Sequence, residues 1–298
     1  MNALALDIGG TAVKAGVVNR EGEILFKTSI DVETMRRSGD LINALVNELK
    51  PIVEKHAIRK IGIGVPGLLS ADRRAVLEAP NVKEFTGTEF YPRLSAAFPD
   101  CTIRLENDAN TAALGALCFD TSFDSKTFAF VTLGTGIGSA VVVDGKLFTG
   151  SGNALELGFV LSRNGEYLEK VIARDGLIKM AKEMAASGKY KTAIDLTCIT
   201  PEQLAKAASA NDELAKALFG EMGTILGEAL TGFIYLFDVP TIYIGGGIAA
   251  AYNHFMPSLK KVLDAKLLNY YKSRLHIKHA EVGNDAGILG AAALCFVE

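Results

Sequence analysis

The chain carries one strand–turn–strand phrase twice, 125 residues apart, and a polypeptide written this way is expected to fold as two related halves. Leu6-Asp7-Ile8-Gly9-Gly10-Thr11-Ala12-Val13-Lys14-Ala15-Gly16-Val17-Val18-Asn19 aligns without a gap on Val131-Thr132-Leu133-Gly134-Thr135-Gly136-Ile137-Gly138-Ser139-Ala140-Val141-Val142-Val143-Asp144. Each copy is a β-rich run, a glycine-bearing turn, a second β-rich run and a polar turn, Glu21-Gly22 in the first and Asp144-Gly145 in the second. Glycine at the tip of such a hairpin leaves backbone N–H groups bare, so they can close around an anion with no Cβ in the way. Two halves that each present such a tip suit a ligand cleft between them, where binding sites concentrate.

The remaining pattern alternates strands and helices. Strands are expected near 3–8, 12–19, 22–30, 59–65 and 102–106, with helices near 38–57 and 108–119. Further strands are expected near 127–133, 137–143 and 146–149. From 166 the pattern is mainly helical, with a long amphipathic run at 211–237. A strand at 241–244 then ends in Gly245-Gly246-Gly247, and a helix begins near 285. This is an α/β class of chain. The expected division is 1–118 and 119–298, with the helix near 285–297 packing back on the first part.

A length of 298 residues supports a substantial core. The net charge of −3 gives no bulk attraction to nucleic-acid backbones or anionic membranes. No run approaches the ~20 apolar residues of a membrane span, and Asp7 interrupts any leader-like core. A cytoplasmic protein with neither nucleic-acid nor membrane partner is expected. Cys101, Cys118, Cys198 and Cys295 lie far apart, without a Cys-x-x-Cys pair, and are expected to be small buried hydrophobes. His56 and His254 have no ligand spacing, and His276 and His279 would face opposite sides of a strand, so zinc is not expected.

Asp7-Ile8-Gly9-Gly10-Thr11-x-x-Lys14 lacks the spacing of a Walker A loop, yet its parts suit a triphosphate. The glycines admit close backbone approach, Thr11 offers a hydroxyl, Lys14 a point charge, and Asp7 a carboxylate able to hold water around Mg²⁺. Glu106-Asn107-Asp108-Ala109-Asn110 stands where a strand gives way to a helix. Asn107 or Asp108 there serves as an N-cap, or as a group that orients a hydroxyl and takes its proton; the two roles are compatible.

With these motifs in order along nearly the whole chain, the sequence resembles the ROK family (repressors, open reading frames and kinases) of the actin and sugar-kinase ATPase superfamily. Asp7 to Lys14 resembles its first phosphate motif, and Leu133 to Gly138 its second. Gly64-Val65-Pro66-Gly67 and Pro80-Asn81 resemble sugar-side loops, Glu106 to Asn110 the catalytic segment, Ile244-Gly245-Gly246-Gly247 the adenosine segment, and Gly283 to Ala292 the start of the C-terminal helix. The resemblance implies two ribonuclease-H-like α/β halves flanking a central ATP and sugar cleft. It also implies transfer of the γ-phosphoryl group of ATP, with Mg²⁺, to a hydroxyl of a hexose or amino-hexose.

By position, Asp108 would be the general base and Asn107 would bind a neighbouring hydroxyl. Gly67, Asn81, Glu156 and Glu169 would line the sugar pocket. Asp7, Gly9, Gly10, Thr11, Lys14, Thr135 and Gly136 would face the phosphates, and Gly246 and Gly247 the nucleoside. A homodimer is expected from the same resemblance. The family's Glu-x-Gly-His appears here as Glu156-Leu157-Gly158-Phe159, and no cysteine lies between Phe159 and Glu169. The zinc loop of many relatives is therefore not expected, and the identity of the sugar is left open. Two other readings follow from the family: a sugar-responsive regulator, disfavoured because the first motif already starts at residue 7, and a non-catalytic sugar- or nucleotide-binding protein.

Overall fold

Ten strands in two five-stranded sheets carry the fold, and both sheets have the same strand order. The computed structural model describes residues 1–80, 82–119, 125–280 and 285–297. We label the strands β1 (Asn2–Ile8), β2 (Ala12–Asn19), β3 (Ile24–Asp31), β4 (Lys60–Val65) and β5 (Thr102–Asn107) in the first sheet. The second holds β6 (Phe128–Leu133), β7 (Ile137–Val143), β8 (Lys146–Leu147), β9 (Thr241–Gly245) and β10 (His276–His279). The first sheet runs β3-β2-β1-β4-β5 and the second β8-β7-β6-β9-β10. In the first, β1–β2 and β2–β3 are antiparallel while β1–β4 and β4–β5 are parallel. In the second, β7–β8 is antiparallel and β6–β9 and β9–β10 are parallel. The central parallel strands are almost wholly buried runs, KIGIGV in β4 and TIYIG in β9, as expected where helices cover a sheet.

The chain forms two compact units. The first comprises Met1–Lys126, Ala140–Ala154 and Val282–Glu298; the second comprises Thr127–Ser139 and Leu155–Glu281. This partition is interleaved; the sequence reading divides the chain into 1–118 and 119–298, with the helix near 285–297 packing back on the first part. Within the first unit, the apolar Ala286–Phe296 helix packs on the Asp108–Phe119 helix and on β1 and β4. Gly62 makes that approach possible, since a Cβ there would lie 1.8 Å from the Ala291 carbonyl oxygen. The core between the first sheet and the Leu41–Lys55 and Phe90–Ala97 helices is built from Leu4, Leu6, Leu45, Ile61, Phe85 and Phe90 among others. In the second unit, the 25-residue Glu213–Phe237 helix packs along Tyr252–Lys266.

Local signals set the boundaries. The helix expected at 38–57 spans Leu41–Lys55 because Asp40 caps it, accepting from the Asn43 N–H at 3.1 Å. Asp212 caps the 213–237 helix in the same way. The strand expected at 146–149 is only two residues long. The Phe90–Ala97 helix and the short hairpin Leu68–Leu69/Val76–Glu78 had no clear periodic signal. One expectation is corrected: Cys118 and Cys198 are exposed, Cys101 is intermediate, and only Cys295 is buried. Cys118 lies near the end of the Asp108–Phe119 helix, and Cys198 lies in the segment before the Pro201–Ser209 helix. Exposure there follows from local position, which isolated spacing does not report. Among the described residues, no helix is long and apolar enough to cross a membrane.

Candidate functional site

In the first unit, the ends of β1, β4 and β5 gather the acidic residues. Parallel pairing places Asp7 beside Gly64, and Gly64 beside Glu106, so these positions form one row across the sheet. Antiparallel pairing puts Lys14 opposite Asp7, with Nζ 4.0 Å from Oδ2. The turn between β1 and β2 is closed by the Gly9 N–H donating to Ala12 O at 3.0 Å, which leaves Gly10 and Thr11 at the tip, partly or fully exposed. Gly287, in the first turn of the C-terminal helix, rests on the Asp7 side chain: a Cβ there would lie 2.3 Å from the carboxyl carbon. Burial raises the Asp7 carboxyl above the usual carboxylate range, and the nearby Lys14 charge opposes the rise.

Asn107 ends β5 and Asp108 begins the helix. The Asn107 Oδ1 accepts from the N–H groups of Ala109 at 2.9 Å and Asn110 at 3.2 Å, so Asn107 is the working cap. Its Nδ2 donates to Gly67 O at 3.1 Å. Asp108 Oδ1 accepts from the Ala109 N–H at 2.8 Å, and the N–H of Asp108 itself also favours the ionised carboxyl. Burial pushes the Asp108 carboxyl up to about 6. The Ala109 N–H opposes this, and the Asp7 charge adds to it. Gly67 sits at φ +103°, and a Cβ there would lie 2.1 Å from Glu78 O, so this loop position admits only glycine. Asn81 lies outside the described residues.

In the second unit the glycine turn is held from behind. Gly134 N–H donates to Gly136 O, and Arg174 N–H donates to Gly134 O, both at 3.0 Å. Glu169 Oε2 accepts from the Ile137 N–H at 3.2 Å and crowds Gly136, where a Cβ would lie 2.5 Å away. Gly158 abuts both Ile137 and Glu169, which brings the Glu156–Phe159 segment to the same place. Thr135 and Glu169 line a cavity of about 340 Å³ with Glu166, Lys170, Asp175, Gly176 and Lys179. Parallel pairing sets Gly245 beside Thr132, and Gly246, at φ +90°, packs on Leu133. Gly246 therefore adjoins the second glycine turn, while a Cβ on Gly247 would meet only Glu202 Oε1, at 3.9 Å. Among the described residues, no group of three or more His, Cys, Asp or Glu side chains is arranged to hold a metal ion.

The expected residues thus gather in two sets: Asp7, Gly9, Gly10, Thr11, Lys14, Gly67, Asn107 and Asp108 in the first unit, and Thr135, Gly136, Glu156, Glu169, Gly246 and Gly247 in the second. Sequence reading missed Arg73. Its Nε donates to Glu106 Oε2 at 3.0 Å, with both side chains largely buried. Within Asp72-Arg73-Arg74 it looks like one member of a solvated charge run, and no spacing signals a partner 33 residues later. Glu106 was visible as part of a motif but carried no assigned part.

The model of the ROK family matches residues 3–297. The chain belongs to the ROK family. The ROK chain is 35% identical to a provisionally named sugar kinase from Cytophaga hutchinsonii, whose crystal structure it matches with a TM-score of 0.91 over 99% of both chains. It is 29% identical to a glucokinase of Thermotoga maritima over 99% of this chain and 97% of that one. A ROK family glucokinase from Streptomyces griseus, solved with glucose and AMPPNP, is 26% identical with a TM-score of 0.81, again over 99% of both chains. The mixed α/β architecture is that of the ROK sugar kinases.

Proposed function

We propose that this chain is an ATP-dependent kinase acting on a hexose or amino-hexose, with Asp108 as the general base. The observation that carries this reading is Asp108 itself. Its carboxyl is desolvated, raised to about 6, and held by adjacent backbone N–H groups, those of Ala109 and of Asp108 itself. A helix cap would be satisfied by these contacts, but Asn107 already caps the helix. A carboxylate with a pKa near 6 is ionised at neutral pH and basic enough to take a proton from a hydroxyl as the new P–O bond forms. Phosphoryl transfer otherwise rests on positioning and charge neutralisation.

The first-unit turn of Gly9, Gly10 and Thr11, with Lys14, is assigned to the phosphates. Asn107 and the Gly67 and Asn81 loops are assigned to the sugar. In the second unit, Thr135 and Gly136 are assigned to the phosphates, Gly246 and Gly247 to the nucleoside, and Glu156 and Glu169 to sugar hydroxyls. Asp7 suits a hydrated Mg²⁺ that accompanies the nucleotide. It is an oxygen donor, it is desolvated, and Lys14 at 4.0 Å offsets its charge in part. Mg²⁺, when bound, supplies neutralisation of the phosphate charge. Lys14 adds to that neutralisation, and Asp108 orients and deprotonates the acceptor.

A coupled ADP-release screen with Mg²⁺-ATP and about thirty sugars and amino sugars tests the reading. At least one sugar is expected to stimulate release. ATP binding without stimulation by any sugar would replace this reading with a non-catalytic binding protein.

A further inference from the structure

Arg73 occupies a turn that most side chains avoid. Its φ is +59°, a left-handed conformation that costs a non-glycine residue free energy unless the surroundings fix it. Ser70 supplies part of that fixing: its carbonyl accepts from the Arg73 N–H at 2.9 Å, and its hydroxyl accepts from the N–H groups of Arg74 and Ala75. Asn153 holds the same loop from its other side, exchanging two hydrogen bonds with the backbone of Leu69 at 2.9 and 2.7 Å. The turn sends the Arg73 guanidinium inward. There Nε meets Glu106 Oε2 at 3.0 Å and Nη2 donates to Gly152 O at 2.7 Å.

Glu106 passes this contact on. Its other oxygen, Oε1, accepts from the Asn107 N–H at 2.9 Å and from Asn110 Nδ2 at 3.0 Å. Those two residues flank Asp108, whose own carboxyl is tethered to the backbone of the junction through the Ala109 N–H. The aim of the second Asp108 oxygen is therefore set by the backbone of the junction, and the junction is braced by Glu106. Removing one partner of a buried ion pair leaves the other charge uncompensated and destabilises the groups that hold it.

We infer that Arg73 is a positioning residue: through Glu106 it holds the Asn107–Asn110 junction so that Asp108 meets the acceptor hydroxyl in line. This rests on the kinase reading above, which supplies the reaction that Asp108 serves. Misplacement of a reacting group by about 1 Å can cost on the order of 10²-fold in rate. Arg73→Met keeps much of the side-chain bulk and removes the pairing. It is expected to lower kcat about 10- to 100-fold while the KM for sugar moves less than about threefold. Arg73→Lys retains the charge and is expected to recover several-fold over Met. Arg73→Met combined with Glu106→Gln is expected to be no slower than Glu106→Gln alone, because both changes act on one path.

A second measurement needs no turnover. In Arg73→Met, backbone hydrogen exchange over 103–112 is expected to accelerate while 3–8 keeps its protection; a loss of global stability would accelerate both. The inference is overturned by a folded Arg73→Met protein with kcat within about threefold of wild type. Equal acceleration of both segments, with Lys no better than Met, overturns it as well. If the wild-type protein turns over no sugar, the kinase reading fails separately, and the contrast in exchange still decides whether Arg73 holds the junction. If Arg73→Met does not fold, Arg73→Lys and Glu106→Gln are read by the same two criteria.

Discussion

The two hairpins keep one backbone plan and carry opposite chemistry. At the 125-residue offset, Asp7 and Lys14 of the first correspond to Thr132 and Ser139 of the second. In the first hairpin, two charges face each other at 4.0 Å beside the exposed tip, with Asp108 close enough for the Asp7 charge to act on it. In the second, both hydroxyls are consumed by the fold. Thr132 Oγ1 accepts from the Gly138 N–H at 3.2 Å, and Ser139, which is buried, donates to Leu155 O and accepts from the Leu157 N–H at 3.1 Å. A duplicated turn thus retains its capacity to present N–H groups while only one copy retains groups that titrate. In the proposed reaction the first hairpin and Asp108 do the proton and charge work, and the second hairpin holds.

The largest expected effect lies at Asp108. Asp108→Asn preserves the bond to the Ala109 N–H and removes basicity. It should lower kcat by on the order of 10²–10⁴ with sugar affinity within about tenfold. A kcat within about threefold of wild type would remove Asp108 as base and leave the first half no more catalytic than the second.

Next, the two hairpins should fail differently. Lys14→Ala should reduce kcat/KM for ATP about 10- to 100-fold with little change in stability, since the side chain is substantially exposed. Ser139→Ala should leave kcat near wild type and cost about 1–3 kcal/mol in chemical denaturation, because it strands the part-buried Leu155 carbonyl and the buried Leu157 N–H. The reverse pattern, with stability lost at Lys14 and rate lost at Ser139, would break the comparison.

A smaller effect is expected from pH. The folded Asp108 is raised to about 6 from an ordinary 3.8, so its protonated form favours the fold. That contribution is complete below about pH 3.8 and is lost as pH rises through about 6. Asp108→Asn should therefore be more stable than wild type at pH 7 to 8, by at most on the order of 2 kcal/mol given partial exposure. The two proteins should converge below pH 4. In the same range, kcat/KM should rise with pH to a plateau above about 6. Parallel stability curves for the two proteins would show that Asp108 is not held in this state.

The smallest effect is expected from zinc. Phe159 stands where the family pattern has His, so elemental analysis should find well under one zinc per chain. Dialysis against a chelator, followed by Mg²⁺, should return the full rate. A rate recovered only by added zinc would contradict this.

Much of the fold and of the candidate site was legible in the order of the residues. The glycine turns, the strand alternation around them and the polar run Glu106 to Asn110 are local signals, because turn chemistry and capping act over a few residues. Asp40 and Asp212 mark helix starts for the same reason. The repeat further announced that the halves share a plan, and the sheets share a strand order. The exposure of Cys118 and Cys198 was not legible, because it depends on which side of a helix or loop neighbouring elements leave bare.

The sequence by itself therefore determined the two turns, the strand-to-helix junction at Asp108 and the residue types that meet there, since each is decided within a span of about a dozen residues. Only the tertiary structure decided that Gly64 sets Asp7 and Glu106 in one row and that Glu169 lies against Gly136. It also decided that Arg73 reaches Glu106 from a turn that looks like surface. Those contacts depend on strand register, on close backbone approach at glycines, and on burial that strengthens an ion pair and raises a carboxyl. None of these has a period or a spacing along the chain, because the groups involved come from segments that only the sheet brings side by side.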